Sequence, residues 1–219
     1  MPPSPRPSPW PNPPRLYAIV DDEACLRSGR APLDVARAFL AAGARLIQLR
    51  CKRMASGAFL ELATLVVDAG NAAGARIIIN DRADVARLSG AHGVHVGQTD
   101  LSAADARAVV GPDAILGLST HSQAQWDAAL EQPISYIAIG PTFGTGTKDT
   151  GYSAVGLRVV SQAALAARQR GRPVVAIGGI SMENAVSVIG AGAASVAVIS
   201  DLLTGDPEAR CRAFLRILE

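Results

Sequence analysis

The chain has 219 residues, of which 49% are hydrophobic and 18% are charged, and its formal net charge is only +2. This apolar content can bury a sizeable core, so the disordered and fibrous classes of protein are excluded. The 21 basic and 19 acidic residues are spread along the chain, which argues against a nucleic-acid-binding surface. We therefore expect one globular domain of the size of a compact α/β barrel.

The amino-terminal segment, residues 1–14, has proline at nearly every second position and lacks the apolar stretch that a secretory signal requires. We predict a disordered or polyproline-like tail here, followed by a catalytic domain over residues 15–219. No uninterrupted apolar run of about 18 residues occurs, so a membrane span is not expected. The cysteines are three in number and lack metal-type spacing, which suits free thiols in the reducing cytoplasm.

After the tail, short runs of Ile, Val and Leu alternate with Ala-rich segments of helical period, a pattern typical of βα units. The eight strand candidates are Arg15–Val20, Arg45–Leu49, Arg76–Ile79, Gly93–Val96, Ala114–Leu118, Tyr136–Ile139, Val174–Ile177 and Ser195–Ile199. Eight parallel strands can close into a barrel or remain an open doubly wound sheet. The regular repeat favours closure, and polar residues gather just after the strands, as at the active face of a barrel. We predict a single-domain (β/α)₈ TIM barrel of the α/β class.

Local signals indicate where several helices begin. Ser102, Ser122 and Ser181 each precede a helical segment and are N-cap candidates.

The second predicted strand leads into Gln48, Arg50 and Lys52, which its alternation places on one side. Two cations and an amide suit a diphosphate, because Arg offers a planar fork and Lys a point charge. A solvated strand end is the alternative for this cluster taken alone.

The third and fourth predicted strands end in acidic residues. Asn80 and Asp81 follow the third strand, where capping of the next helix would also explain Asp81. Asp100 stands at the corresponding end of the fourth strand, and two neighbouring carboxylates suit a magnesium ion shared with substrate phosphate oxygens. His95 lies inside an apolar strand pattern and is interpreted as a satisfied core residue.

The fifth predicted strand is followed by Ser119 and His121. Ser119 could hydrogen-bond a substrate, whereas His121 could carry a proton or simply enter the next helix.

The sixth strand leads into a loop, residues 140–148, that is rich in Gly and Thr and ends at Lys148. Backbone amides, two threonine hydroxyls and an ammonium could cradle a phosphate, although the glycine spacing is not that of a Walker loop. A flexible surface loop is the alternative. Gly179 and Ser200 follow the last two strands, whose loops form the usual phosphate site of this barrel class.

Taken together, these motifs resemble those of the thiamine-phosphate synthase family. The resemblance extends from about Leu16 to Leu203 and rests, in order, on Gln48–Lys52, Ile79–Arg82, Gly93–Asp100, Gly117–Ser119, Gly140–Lys148 and Ile177–Ile180. The departures are the proline-rich extension and Cys51 within the first motif, and neither has an evident catalytic role.

The resemblance implies an enzyme that couples hydroxymethylpyrimidine diphosphate with thiazole phosphate, releasing pyrophosphate with the help of one Mg²⁺ per subunit. It implies a carbocation-like pyrimidine species that the thiazole nitrogen attacks. The implied pyrimidine diphosphate ligands are Gln48, Arg50, Lys52, Asn80, Ser119 and Lys148, of which Arg50, Lys52, Ser119 and Lys148 are the expected catalytic residues. The implied thiazole phosphate ligands are Thr145, Thr147, Gly179, Ile199 and Ser200, and the implied magnesium ligands are Asp81 and Asp100.

Three other functions are compatible with parts of this pattern. They are a thiazole tautomerase with the same barrel and a histidine near position 121, a non-catalytic barrel that binds thiazole phosphate, and a phosphoribosyl-type isomerase. The expected partners are small molecules, without nucleic acid or membrane, and the sequence leaves a homo-oligomer open.

Overall fold

The computed structural model describes Trp10, residues 12–144 and residues 152–219. Three of the predicted site residues, Thr145, Thr147 and Lys148, lie outside the described residues.

Eight strands of the described chain form one closed parallel barrel, in which every strand pairs with its sequence neighbours and β8 returns to β1. They are β1 (Leu16–Asp21), β2 (Leu46–Arg50), β3 (Arg76–Asn80), β4 (Gly93–Val96), β5 (Ile115–Thr120), β6 (Tyr136–Ile139), β7 (Val174–Ile177) and β8 (Ser195–Val198). The predicted TIM barrel is therefore confirmed, and closure distinguishes it from the open sheet.

Helices of the described chain surround the barrel. They are α1 (Asp22–Arg27), α2 (Pro32–Ala42), α3 (Ser56–Ala72), α4 (Ala83–Leu88), α5 (Ala103–Val110), α6 (Gln123–Leu130), α7 (Gly156–Gln169), α8 (Ala185–Gly190) and α9 (Pro207–Leu218), with a short 3₁₀ helix at Ser200–Leu203. None of these described helices combines the length and the apolarity needed to cross a bilayer.

Strand alternation divides the apolar side chains into two cores. In β1, Tyr17 and Ile19 face the barrel interior, whereas Leu16, Ala18 and Val20 pack with the core that the helices share. The period of two arises because successive side chains of a strand point to opposite faces.

The helix starts were predicted correctly in two of three places. Ser102 and Ser122 accept hydrogen bonds from the backbone N–H groups three residues on. Ser181 does not begin a helix: its N–H donates to Asn184 Oδ1 at 2.9 Å, and the chain makes a turn before α8 begins at Ala185. The Asn184 side chain thus competes with helix formation at this point.

Trp10, within the predicted tail, is buried against the barrel. Its side chain is 8% exposed, and its ring meets that of Tyr136 edge-on with centroids 5.7 Å apart. Because Tyr136 is the first residue of β6, Trp10 lies at the amino end of the barrel. The domain boundary at residue 15 stays a prediction, and the contact between Trp10 and Tyr136 offers a way to test it.

Candidate active site

Residues at the carboxyl ends of the strands enclose a cavity of about 360 Å³. The predicted site residues that line it are Gln48, Arg50, Lys52, Asn80, Asp81, Asp100, Ser119 and Ile199. Parallel strands bring their carboxyl ends to one face, so residues far apart in sequence meet there. Gly179 and Ser200 belong to the loops beside the cavity and are not part of this lining.

A second cavity, of about 450 Å³, lies between α7 and α8 and is lined by Arg168 and Arg172 among others. It holds none of the predicted site residues and opens near the amino end of β7. Chemistry in this barrel class belongs to the opposite face, so the smaller cavity is the candidate site.

The two predicted metal ligands are brought together. The Asp81 and Asp100 side chains lie close enough for each carboxyl group to act on the other. Burial, and then this contact with Asp81, raises the pKa of Asp100, whereas Lys52 acts in the opposite direction. The Lys52 ammonium donates a hydrogen bond to Asp81, and the Gly97 N–H donates to Asp100 at 2.7 Å. One ammonium therefore faces two mutually repelling carboxyl groups.

Asp81 is held in a backbone conformation that side chains rarely adopt. Its φ is +63°, and it is the single residue other than glycine with positive φ in the described part of the chain. Its N–H donates to the His95 carbonyl at 2.7 Å, tying the end of β3 to β4. Asp81 does not cap α4, whose N-cap is Arg82 and has no side-chain capping bond. Strain at a residue of this kind marks functional sites.

This donor set fits magnesium. A hard cation with oxygen ligands needs only one or two carboxylates when substrate phosphates and water complete its shell. Among the described residues no cluster of three or more His, Cys, Asp or Glu could hold a metal by itself.

Arg50 is paired with a residue that the sequence analysis missed. Its guanidinium donates to Asp21, and the side chains are 13% and 4% exposed respectively. Asp21 also accepts from the Ala24 N–H at 2.8 Å as the N-cap of α1. The carboxylate thus fixes the direction of Arg50 along the cavity wall. A signal was available, because Asp21 ends β1 at the same face as the other acids.

The barrel interior below the cavity contains a hydrogen-bonded chain of buried polar side chains. Gln48 bonds Tyr17, Tyr17 bonds Tyr136, Tyr136 bonds His95, and His95 bonds Ser119. His95 is 7% exposed and both ring nitrogens are bonded, as expected for a satisfied core histidine, but it also lines the cavity.

His121 lines the cavity as well. Its Nδ1 lies 2.5 Å from the Gly140 carbonyl oxygen, to which it donates, and its ring stacks on Tyr152 with centroids 4.0 Å apart. These contacts hold the imidazole against the two ends of the loop that follows β6.

Gly179 brings the loops after β6 and β7 together. Its φ is +65°, and a Cβ at this position would lie 2.6 Å from the carbonyl oxygen of Gly144. Glycine is therefore required by the close approach of the two backbones. Ile199, directly after β8, lines the cavity, and Ser200 begins the 3₁₀ helix.

Comparisons with known proteins place these features in context. The family model described as thiamine monophosphate synthase matches residues 16–202. The chain is 43% identical over 212 residues to a thiamine-phosphate synthase of Koribacter versatilis, covering 94% of this chain and 96% of that protein. It is 39% identical over 204 residues to a thiamine-phosphate synthase of a Roseiflexus species, covering 93% and 84% respectively. The solved thiamine phosphate pyrophosphorylase from Pyrococcus furiosus has a TM-score of 0.83 at 27% identity, covering 95% and 96%.

Proposed function

The chain belongs to the thiamine monophosphate synthase family, and on that premise we propose that the cavity is where hydroxymethylpyrimidine diphosphate is joined to thiazole phosphate. The chain is a transferase of thiamine biosynthesis, with thiamine-phosphate synthase relatives at 39% and 43% identity. The observation that carries the proposal for the cavity is the contact between Asp81 and Asp100 beside the Lys52 ammonium. Such a cluster suits a diphosphate with its cation.

The reaction transfers the pyrimidinylmethyl group from the diphosphate oxygen to the thiazole nitrogen. The bond between the methylene carbon and the diphosphate oxygen breaks, and its electron pair leaves with pyrophosphate. The thiazole nitrogen supplies the pair for the new carbon–nitrogen bond. No covalent nucleophile from the protein is required, so the task of the side chains is orientation and charge stabilisation.

The pyrimidine diphosphate is assigned to the side of the cavity formed by β2 and β3. Arg50 and Lys52 would offset the charge on the diphosphate, with Gln48 and Asn80 as neutral hydrogen-bonding partners. The pairing of Arg50 with Asp21 supports this role, because it holds the guanidinium ready in one direction before the substrate arrives. Lys148 would add a further cation.

Asp81 and Asp100 would hold one Mg²⁺ per subunit, and membership of the family is consistent with a magnesium-assisted reaction. When bound, this ion supplies positive charge against the negative charge that grows on the leaving pyrophosphate. Lys52, which is paired with Asp81, would also offset negative charge on the diphosphate.

The thiazole phosphate is assigned to the side of the cavity formed by β7 and β8. Gly179 has no side chain to block the approach of the phosphate to the backbone. The main-chain N–H groups of Ile199 and Ser200 would donate to the phosphate, because loops after the last two strands bind phosphate in this barrel class. Thr145 and Thr147 would complete the cradle. Ser119, on β5, would contact the pyrimidine between the two phosphate groups.

A reducing, cytoplasmic setting is proposed for this reaction. Cys25, Cys51 and Cys211 are all free and buried, which supports that setting. The two small molecules are the proposed partners.

Turnover of an Asp81 variant tests the proposed function. With both substrates and Mg²⁺, we expect Asp81→Asn to lower pyrophosphate release by roughly a hundredfold or more, because one ligand of the ion is lost. Circular dichroism should be unchanged. The control is Asp84→Asn, which removes an exposed carboxylate paired with Arg82, three residues along the chain.

Two results would count against the proposal. One is wild-type turnover in Asp81→Asn. The other is a purified protein that tautomerises thiazole carboxylate phosphate, using His121, but releases no pyrophosphate from the pyrimidine substrate. Binding of thiazole phosphate without any turnover would indicate a non-catalytic barrel.

A further inference from the structure

Four hydrogen bonds form a continuous chain across the barrel, from Gln48 on β2 to Ser119 on β5. Gln48 Nε2 donates to Tyr17 Oη at 2.8 Å, and Tyr17 Oη lies 3.1 Å from Tyr136 Oη. Tyr136 Oη lies 2.9 Å from His95 Nδ1, and His95 Nε2 lies 2.8 Å from Ser119 Oγ. Each link joins side chains from different strands, so the chain exists only in the closed barrel.

The Gln48 amide directs its Nε2 group at Tyr17, and with this orientation one arrangement of protons satisfies every donor in the hydrogen-bonded chain. Because Tyr17 Oη accepts from Gln48, its own hydrogen goes to Tyr136, and the hydrogen of Tyr136 then goes to His95 Nδ1. His95 must therefore carry its hydrogen on Nε2 and donate it to Ser119 Oγ. With Gln48 Nε2 facing Tyr17, the reverse order would leave the buried Tyr17 hydroxyl hydrogen without an acceptor, which is unfavourable. Burial raises the pKa of both phenols, so both keep their protons.

Gly117 is the residue that makes the central link of the chain possible. His95, Gly117 and Tyr136 are register partners on β4, β5 and β6, in that order. A Cβ at position 117 would lie 2.1 Å from Cζ of Tyr136 and 2.5 Å from Nδ1 of His95. The missing side chain therefore lets a phenol on β6 reach an imidazole on β4 across the strand between them.

We propose that Tyr17, Tyr136 and His95 are positioning residues that fix Ser119 Oγ as a hydrogen-bond donor toward the cavity. Since Ser119 accepts from His95, its own hydrogen is directed at the ligand. The ligand atom opposite Ser119 is then an acceptor, and in an aminopyrimidine that atom is a ring nitrogen. This inference rests on the proposed function, because that function puts the pyrimidine ring against Ser119.

Tyr136→Phe tests the positioning role directly. Tyr136 is fully buried and does not line the cavity, so its hydroxyl acts on substrate only through its neighbours. We expect the KM for the pyrimidine diphosphate to rise about tenfold through loss of one oriented hydrogen bond, and the KM for thiazole phosphate to stay unchanged. In a Ser119→Ala background, Tyr136→Phe should add no further rise, because the two residues act as one unit.

The matched control is Thr120→Val. Thr120 is also fully buried and lies next to Ser119 on β5. Its hydroxyl donates to the Ala138 carbonyl at 2.9 Å and takes no part in the hydrogen-bonded chain from Gln48 to Ser119. This variant should lose stability without any selective change in the KM for the pyrimidine substrate. Equal rises of both KM values in Tyr136→Phe, or an undiminished rise in the Ser119→Ala background, would overturn the inference.

The tautomer of His95 gives a readout that is independent of activity. Nuclear magnetic resonance of the ligand-free protein with ¹⁵N-labelled histidine should find a neutral His95 ring with its hydrogen on Nε2. A hydrogen on Nδ1, or a charged ring, would overturn the inference even if the enzyme is active. Conversely, the expected tautomer in a protein that releases no pyrophosphate would sink the proposed function and leave the proton arrangement standing.

Discussion

Asp81 combines the carboxylate proposed to bind magnesium with a strained backbone. Its φ of +63° costs a residue with a Cβ roughly 1–2 kcal/mol, and asparagine and aspartate tolerate this region better than other side chains. The sequence predicted that Asp81 belongs to a functional site, because the chain changes there from a fully buried strand to polar residues. It carried no sign of the positive φ, which arises where the Asp81 N–H turns to the His95 carbonyl on the neighbouring strand.

The strain at Asp81 predicts an order of stability among its variants. Asp81→Ala should be less stable than Asp81→Asn by about 1 kcal/mol, because alanine gains nothing in the left-handed region. Asp81→Gly should be at least as stable as Asp81→Asn, because glycine adopts this φ freely. All three variants lose the ion pair with Lys52, so differences in their free energy of unfolding report the cost of the positive φ at position 81. Urea unfolding measures it, and an alanine variant as stable as the glycine variant would argue against strain.

Other residues show why part of the candidate site was predictable. Gln48, Arg50 and Lys52 were predicted to share one face because side chains alternate along a strand, and all three line the cavity. Tyr17 and Tyr136 were not found, because an aromatic residue in a strand indicates packing, and their hydroxyls meet only when β1 and β6 face each other across the closed barrel.

At the scale of secondary-structure elements, the pairing of β4 with β5 depends on a glycine. A Cβ at Gly93 would lie 1.9 Å from the carbonyl oxygen of Ile115, its register partner. That oxygen belongs to the backbone and cannot move without separating the strands. The strand candidates themselves were predictable from runs of apolar residues, whereas the need for glycine here depends on which strands become neighbours.

Gly93→Ala should therefore destabilise the barrel by about 3 kcal/mol or more, in the range of severe overpacking. The control is Gly57→Ala near the start of α3, where a Cβ would meet nothing within 4 Å. That change should be neutral or stabilise the protein by up to about 1 kcal/mol, because alanine favours the helix. Thermal unfolding measures the difference, because Gly93→Ala should melt well below the wild type whereas Gly57→Ala should not. Similar melting temperatures for both would show that β4 and β5 can adjust.

At the scale of the whole molecule, Trp10 connects the proline-rich segment to the barrel. Composition alone predicted a disordered or polyproline-like tail over residues 1–14, because proline-rich segments cannot form helices or inner strands. Composition cannot reveal that a single aromatic residue of such a segment, Trp10, is buried. Its ring packs at the amino end of the barrel, on the face opposite the cavity.

Truncation tests how far the folded unit extends. A chain that begins at Trp10 should keep the stability of the full chain, whereas one that begins at Arg15 should lose about 3–5 kcal/mol, the range for removing a buried aromatic side chain. Trp10→Ala in the full chain should lose a similar amount. Because the cavity lies at the other end, the KM values of the shortened proteins should not change at temperatures where they stay folded. Equal stability of both truncations would restore the boundary predicted at residue 15.

The proposed function depends on Asp81 and Asp100 jointly holding a divalent cation that completes its shell with a diphosphate. Electron paramagnetic resonance of Mn²⁺ titrated into the protein with pyrophosphate measures this binding, with Asp84→Asn as the control. We expect one bound Mn²⁺ per chain in the wild type and a loss of affinity of about tenfold or more in both Asp81→Asn and Asp100→Asn. If both variants keep the wild-type affinity for Mn²⁺ and pyrophosphate, these two carboxylates do not form the metal site.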